Sequence, residues 1–111
     1  MSDINENIFE EKYKKMTDES LLTEITKKNN NMALDCLIER YKDIVSIKAN
    51  KFFMVGSEKD DMLQEGYIGL YKAVKSFNKE KQNSFKTFAG LCIERQMITA
   101  VKNSNRQKHI P

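Results

Sequence analysis

The chain has 111 residues, of which 40% are hydrophobic and 32% are charged, and this favours one small globular domain. One proline and four glycines disfavour an all-β fold, while a polar, acidic N-terminus and short apolar runs exclude a signal peptide and a membrane span. The net charge of +3 is uneven: residues 1–65 carry 10 basic and 14 acidic side chains, and residues 66–111 carry 9 and 2. We therefore expect an acidic half suited to a basic protein surface and a basic half suited to polyanions.

The first predicted helix follows a polar segment. Residues 1–16 have few apolar positions, and we expect them to form a flexible N-terminus. Thr17 has the character of an N-cap, and the apolar residues after it recur at helical spacing. The sequence predicts a short helix that ends at the asparagines 29–31.

Two longer helices follow. Apolar residues spaced by three or four predict a helix over residues 32–53, which would end at Gly56. Ser57 and Asp60 have the spacing of a capping box and predict the start of the next helix. Its predicted inward-facing residues are Leu63, Tyr67, Leu70, Tyr71, Val74 and Phe77.

The last predicted helix follows a polar turn over residues 78–83. Ser84 is its predicted N-cap, and the helix should continue to about Lys102 or beyond. The predicted fold is therefore all-α, a compact domain of about four helices.

The third predicted helix combines a carboxylate-rich start with two glycines. Asp60, Asp61, Gln64 and Glu65 could simply be a favourable negative first turn beside the positive end of the helix dipole. A glycine inside a helix costs about 1 kcal/mol relative to alanine. Gly66 and Gly69 therefore indicate that another backbone approaches this face closely. Together with Tyr67 and Tyr71, which are typical interface residues, they favour a binding surface.

One sector of the last helix carries two phenylalanines followed by polar and basic side chains. Phenylalanine can stack on unpaired bases, and Gln, Asn and Arg can bind base edges or phosphates. The order suggests DNA that is both opened and read. The alternative, that the phenylalanines are core residues and the polar side chains a solvated face, remains open on spacing alone. The sector contains Phe85, Phe88, Cys92, Arg95, Gln96, Thr99, Lys102, Asn103 and Arg106, and the predicted buried side contains Ala89, Leu91, Ile93, Met97, Ile98 and Val101.

No catalytic arrangement is recognisable. The chain shows no Ser/His/Asp set, no metal-ligand spacing and no phosphate-binding loop, so we expect neither an enzyme nor a cofactor or metal. Cys36 and Cys92 are far apart and are best interpreted as small buried thiols in a reducing cytoplasm. His109 is a lone histidine in a basic tail, and no chemistry is assigned to it.

Two stretches together resemble region 2 of the bacterial sigma-70 family of transcription initiation factors. Residues 61–74, DMLQEGYIGLYKAV, resemble the core-polymerase-binding motif of that family. Residues 85–89, FKTFA, and 95–99, RQMIT, resemble its melting and minus-ten recognition segments. The resemblance covers residues 17–111, and the run 106–111, RQKHIP, is most similar to the stationary-phase and sporulation subgroup called sigma-H.

The resemblance implies a helical domain whose acidic helix docks on the clamp helices of the largest subunit of RNA polymerase. The last helix would face the non-template strand of the promoter minus-ten element. An anti-sigma factor is a further partner that the resemblance allows. The implied polymerase contacts are Val45, Asp61, Gln64, Glu65, Tyr67 and Tyr71. The DNA contacts expected from the resemblance and the helical face are Phe85, Lys86, Thr87, Phe88, Arg95, Gln96, Thr99, Lys102, Asn103 and Arg106.

The chain departs from the housekeeping members of the family in two respects. Leu91 and Cys92 stand where a tryptophan pair is usual, and Asn83 stands where an aromatic residue is common. Fewer stacking residues should make strand opening more dependent on a good promoter. The minus-35-binding domain of the family is also absent, so we expect a fragment of a longer factor rather than a one-domain protein.

A different class of function is a free-standing helical DNA-binding regulator that needs no polymerase. The acidic helix discriminates the two hypotheses, because such a regulator has no need of an acidic docking surface with two tyrosines and a glycine pair.

Overall fold

The computed structural model describes residues 11–53 and 59–108, and within these ranges it contains helices and no strand. The four main helices are α1 (Asp18–Lys28), α2 (Asn31–Phe53), α3 (Lys59–Ser76) and α4 (Phe85–Lys108). The predicted all-α fold is confirmed. The chain divides into two compact units, one ending at Tyr41 and one beginning at Lys42, so α2 contributes residues to both.

Local capping determines where the helices of the N-terminal unit begin and end. The Thr17 hydroxyl accepts a hydrogen bond from the Ser20 amide at 3.1 Å, as its predicted N-cap role requires. Asn29 adopts a left-handed conformation with φ of 50° and ends α1. The Asn30 side chain then accepts from the Ala33 amide at 3.2 Å and caps α2.

The segment before α1 is more ordered than its composition predicts. Residues 11–14 are helical, and the Tyr13 side chain is buried. The Arg40 guanidinium donates to the backbone carbonyls of Tyr13 at 2.8 Å and Lys14 at 3.1 Å. These residues therefore have a defined backbone and contacts that their composition does not predict, made with a side chain more than 25 positions away in the sequence.

In the C-terminal unit, α3 packs along α4, and Gly66 and Gly69 of α3 lie at the contact. A Cβ added to Gly69 would lie 2.7 Å from the Cys92 carbonyl oxygen and 2.8 Å from the Ile93 Cα atom. The predicted close approach of a backbone therefore exists, but the backbone belongs to α4 of the same chain. As an indication of an external docking partner, the glycine pair was misleading.

The buried face of α3 is rotated from the predicted one. Leu70 and Val74 are buried as predicted, but Tyr71 is 44% exposed. Small residues make the contact with α4, and a pattern based only on large apolar side chains does not count them. The buried residues are Met62, Gly66, Gly69, Leu70, Ala73 and Val74.

Helix α4 starts at its predicted cap and is rotated in the same way. The Thr87 amide donates to the Ser84 hydroxyl at 3.2 Å. The buried side chains are spaced by four: Phe85, Ala89, Ile93 and Met97. Leu91 and Ile98, predicted to be buried, are exposed. The predicted stop at Gly56 and the Ser57 part of the capping box lie outside the described residues.

Candidate docking and nucleic-acid interfaces

An exposed patch on α3 lies opposite its buried face, and we call it the docking face. It comprises Asp61, Gln64, Ile68 and Tyr71, all exposed and spaced so that they share one side of the helix. Ile68 and Tyr71 are 41% and 44% exposed, and the Lys75 ammonium lies 5.0 Å from the centre of the Tyr71 ring. The patch thus combines a carboxylate with exposed apolar surface, as protein interfaces do.

The docking face includes one residue that sequence reasoning missed and excludes one that it proposed. Ile68 was missed although it follows Gln64 by four positions and so lies on the same side. Val45 is 0% exposed, and its Cγ1 atom would lie 2.7 Å from a Cβ added to Gly66. Val45 is therefore a core residue in this fold and not part of the docking face, and its contact with polymerase stays a prediction. Glu65 and Tyr67 are half-buried at the margins.

A second exposed surface runs along α4, and we call it the α4 stripe. It comprises Phe88, Arg95, Thr99 and Lys102, whose spacing of seven, four and three places them on one side of the helix. The last three are exposed and Phe88 is half-buried. Of the other DNA candidates, Lys86, Thr87 and Asn103 are exposed, and the side chain of Arg106 lies outside the described residues.

The two phenylalanines proposed to face DNA have different environments. Phe85 is 0% exposed, and Phe77 packs edge-on against it with ring centres 5.4 Å apart and planes at 89°. Phe85 is therefore a core residue in this fold and offers no exposed ring surface, and its contact with DNA stays a prediction. Phe88 also packs on Phe77, with ring centres 5.7 Å apart, but it keeps part of its surface exposed.

Two lysines of α2 form ion pairs with Glu94 of α4. The Glu94 carboxylate lies 3.3 Å from the Lys51 ammonium and 3.7 Å from that of Lys48. Glu94 follows the buried Ile93 and is half-buried, and these two lysines balance its charge there. An open groove beside the pair is lined by Ile44, Lys48, Lys86, Thr87, Gly90, Leu91 and Glu94.

Gln96 lies between the docking face and the α4 stripe. Its half-buried side-chain amide donates to the Glu65 carboxylate at 2.7 Å, and its carbonyl oxygen accepts from the Lys72 ammonium at 2.8 Å. Lys72 was not among the predicted site residues, because a lysine on the exposed side of a helix carries no distinguishing signal. The structure thus links two candidate residues from different predicted sites.

The described residues give no indication of metal chemistry. In the described ranges no group of three His, Cys, Asp or Glu side chains could hold a metal ion. Burial raises the pKa of the Cys92 thiol, and the nearby Arg95 charge lowers it to a lesser extent. A thiol with a raised pKa is a poor nucleophile and a poor metal ligand at neutral pH.

Comparison with known proteins gives consistent matches. The sequence pattern of the family described as Sigma-70 region 2 matches residues 37–107. The chain is 44% identical to the RNA polymerase sigma-H factor of Bacillus licheniformis, over 96% of this chain and 47% of that protein. It is 45% identical to the RNA polymerase sigma-H factor of Bacillus subtilis (strain 168), over 91% of this chain and 46% of that protein.

A more distant relative is the RNA polymerase sigma-28 factor of Bacillus thuringiensis subsp. kurstaki, 29% identical over 82% of this chain and 38% of that protein. The chain spans about half the length of the two sigma-H relatives it matches. No solved structure matches it. Among the described helices, none has the length and apolar character needed to cross a membrane.

Proposed function

We propose, because this chain belongs to the sigma-70 region 2 family, that it is the part of a transcription initiation factor that binds core RNA polymerase and recognises and melts the promoter minus-ten element. The observation that carries the proposal is the division of exposed side chains between two helices of one unit. The docking face of α3 offers a carboxylate and apolar surface, and the α4 stripe offers arginine, lysine and threonine. One face suits a basic protein partner and the other suits a nucleic acid.

The protein partner proposed for the docking face is the pair of clamp helices in the largest polymerase subunit. Asp61 supplies the charge, and Ile68 and Tyr71 supply exposed apolar surface beside it. Apolar and aromatic side chains at the centre of an interface contribute most of its binding energy, while charges set orientation and rate. Glu65 and Tyr67, at the margins, would make peripheral contacts.

A charge reversal tests the docking proposal. Asp61→Lys places a like charge against a basic partner, which costs several kcal/mol at an interface. Because Asp61 is exposed, the fold should tolerate the change. We expect binding to core polymerase, measured by fluorescence anisotropy of the labelled chain, to weaken on the order of 100-fold or more.

Asp43→Lys is the matched control, because Asp43 is an exposed carboxylate of α2 and not part of the docking face. It makes the same change in net charge and should leave binding within about twofold of the unsubstituted chain. Equal losses from the two reversals would mean that net charge, and not the docking face, controls binding.

The α4 stripe is proposed to act on the non-template strand in two ways. The exposed part of the Phe88 ring can stack on an unpaired base without regard to sequence, whereas Thr99 can contact base edges. Phe88→Ala should therefore weaken binding of the polymerase-bound chain to every minus-ten DNA by about 1–3 kcal/mol. Thr99→Ala should instead change which base is preferred at the upstream end of the element.

The assay is binding of fork-junction DNAs, varied at each minus-ten position, to the chain in complex with core polymerase. Ile47→Ala, which truncates an exposed apolar side chain of α2, a helix that carries no residue of the stripe, should change neither overall affinity nor base preference. A changed preference for Phe88→Ala with a uniform loss for Thr99→Ala would reverse the two roles.

The free-standing regulator is not favoured, because it gives the docking face no role. A chain that acts with polymerase on the chromosome would work in the cytoplasm, and this is the location that we propose. Promoter-specific binding by the chain without polymerase, at the affinity seen with it, would support the regulator.

A further inference from the structure

The side-chain amide of Gln96 is held by two groups of opposite charge. A glutamine amide has two N–H donors and two oxygen lone pairs, and here one donor and one lone pair are used by charged side chains. Glu65 accepts from the nitrogen at 2.7 Å, and Lys72 donates to the oxygen at 2.8 Å. Both partners lie on α3, and Gln96 lies on α4.

This arrangement fixes which end of the amide is which. A carboxylate can only accept and an ammonium group can only donate. Turning the amide by half a revolution would place its oxygen against Glu65 and its nitrogen against Lys72, so both hydrogen bonds would be lost. The partially negative oxygen would then face the carboxylate, and the N–H groups would face the ammonium group. In water, a free glutamine has no such preference.

Gln96 keeps one further N–H donor and one further oxygen lone pair, and it borders the α4 stripe, since it directly follows Arg95 and precedes Thr99 by three positions. A donor and an acceptor side by side are what a glutamine needs to bind the N7 and N6 groups of adenine. Base reading by this residue requires that the amide presents them in one order, and this order is set by α3.

We propose that Glu65 and Lys72 are positioning residues that fix the orientation of the Gln96 amide and so sharpen its choice of base. This inference rests on the proposed function, and it assigns a role to Lys72, which follows Ile68 by four positions and so borders the docking face. Glu65 is itself a predicted polymerase contact, so Lys72 is the cleaner residue to test, and a ratio of affinities for two DNAs is not changed by an equal loss of polymerase binding.

The test compares base preference, which a purely structural role would not change. Lys72→Met removes the ammonium group and keeps a flexible apolar stem. We expect the ratio of affinities for preferred and non-preferred fork-junction DNAs, measured with core polymerase at the position where Gln96→Ala has its effect, to fall by about two- to fivefold. Lys72→Arg, which restores a donor, should recover most of the ratio.

Two controls separate the possible causes. Lys79→Met removes an equal charge from an exposed lysine in the turn before α4 and should leave the ratio unchanged. In a Gln96→Ala background, Lys72→Met should have no effect on the ratio, because the residue through which it acts is missing. The Gln96 side-chain NH₂ resonances of the free chain should also move toward random-coil values in Lys72→Met.

The outcomes distinguish this inference from the function on which it rests. If Gln96→Ala changes base preference but Lys72→Met does not, the positioning role is wrong and the proposed function stands. If the unsubstituted chain does not bind core polymerase, the proposed function is wrong and the inference falls with it. An equal effect of Lys72→Met with and without Gln96 would show that the lysine acts on DNA directly.

Discussion

The two compact units of this protein are stabilised by contrasting contacts. In the N-terminal unit, hydrogen bonds from long polar side chains hold a short segment in place. In the C-terminal unit, two glycines bring the backbones of α3 and α4 together. The first kind of contact depends on the chemistry of a few atoms, whereas the second depends on the absence of a side chain. The separation of α3 and α4 that the glycines permit also sets the distance between the exposed faces of these helices.

Asp18 is the centre of the polar contacts. One carboxylate oxygen accepts from the Arg40 guanidinium at 3.0 Å, and the other accepts from the Tyr41 hydroxyl at 2.5 Å. Arg40 donates in addition to the carbonyls of Tyr13 and Lys14. The planar guanidinium can serve several acceptors at once, which a lysine cannot do with the same geometry. We call Asp18, Arg40 and Tyr41 the polar cluster.

The glycine contact has a direct bearing on the candidate site. Gly69 lies four positions after Glu65 and three before Lys72, and a Cβ at this position would also lie 3.0 Å from the Gln96 Cβ atom. The hydrogen bonds of Gln96 to Glu65 and Lys72 therefore depend on the helix separation that Gly69 permits.

The largest expected effect comes from Gly69→Ala. The added methyl group would meet the Cys92 carbonyl and the Ile93 Cα atom, and backbone atoms cannot move aside without moving the helix. Overpacking of this kind costs about 1–3 kcal/mol, which outweighs the gain of up to about 1 kcal/mol in helix propensity. We expect the free energy of unfolding, measured by urea denaturation, to fall by about 1–2 kcal/mol.

Two other glycines of the same unit provide graded controls. At Gly66 the added methyl group would meet the ends of the Met97 and Val45 side chains, and methionine can adjust, so the loss should be smaller. At Gly90 the nearest atom is 4.0 Å away, and Gly90→Ala should stabilise the chain by about 0.5–1 kcal/mol. If Gly69→Ala stabilised the chain as much as Gly90→Ala, the α3–α4 contact would not be limited by the glycine.

What the sequence predicted well was local. The caps at Thr17 and Ser84 and the end of α1 at the asparagines depend on residues within a few positions, and each was found as predicted. The all-α fold follows equally from helical spacing and from the scarcity of proline. The family resemblance, which rests on contiguous motifs, is also correct.

What the sequence predicted poorly depended on neighbours that are distant in the chain. Val45 packs near Gly66 and Phe85 packs on Phe77, partners that lie outside their own helices, and residue type alone does not distinguish a buried phenylalanine from a stacking one. The order of residues 11–14 depends on Arg40, and the environment of Gln96 depends on α3. The assigned contacts to polymerase and DNA remain predictions that the experiments above address.

A second prediction of modest size concerns the polar cluster and is the sharpest test of the contrast between the units. Tyr41→Phe removes the hydroxyl that donates to Asp18 and changes little else in volume. The loss of one hydrogen bond should lower the free energy of unfolding by about 1 kcal/mol at pH 7. Hydrogen exchange should increase most at the amides of α1 and not at those of α3 and α4.

The same substitution has an expected dependence on pH. Burial, followed by the hydrogen bond to Asp18, raises the pKa of Tyr41 above its ordinary value of 10.0. A raised pKa in the folded state stabilises the fold fully below the unfolded-state pKa, and this contribution is lost as pH rises above about 10. The stability of the unsubstituted chain should therefore fall more steeply between pH 9 and pH 11 than that of Tyr41→Phe. The other tyrosines titrate in both proteins, so the difference between the two curves isolates Tyr41. If the two proteins kept a constant difference in stability up to pH 11, the Tyr41 hydroxyl would not be buried against Asp18, and the N-terminal unit would not depend on the polar cluster in the way described.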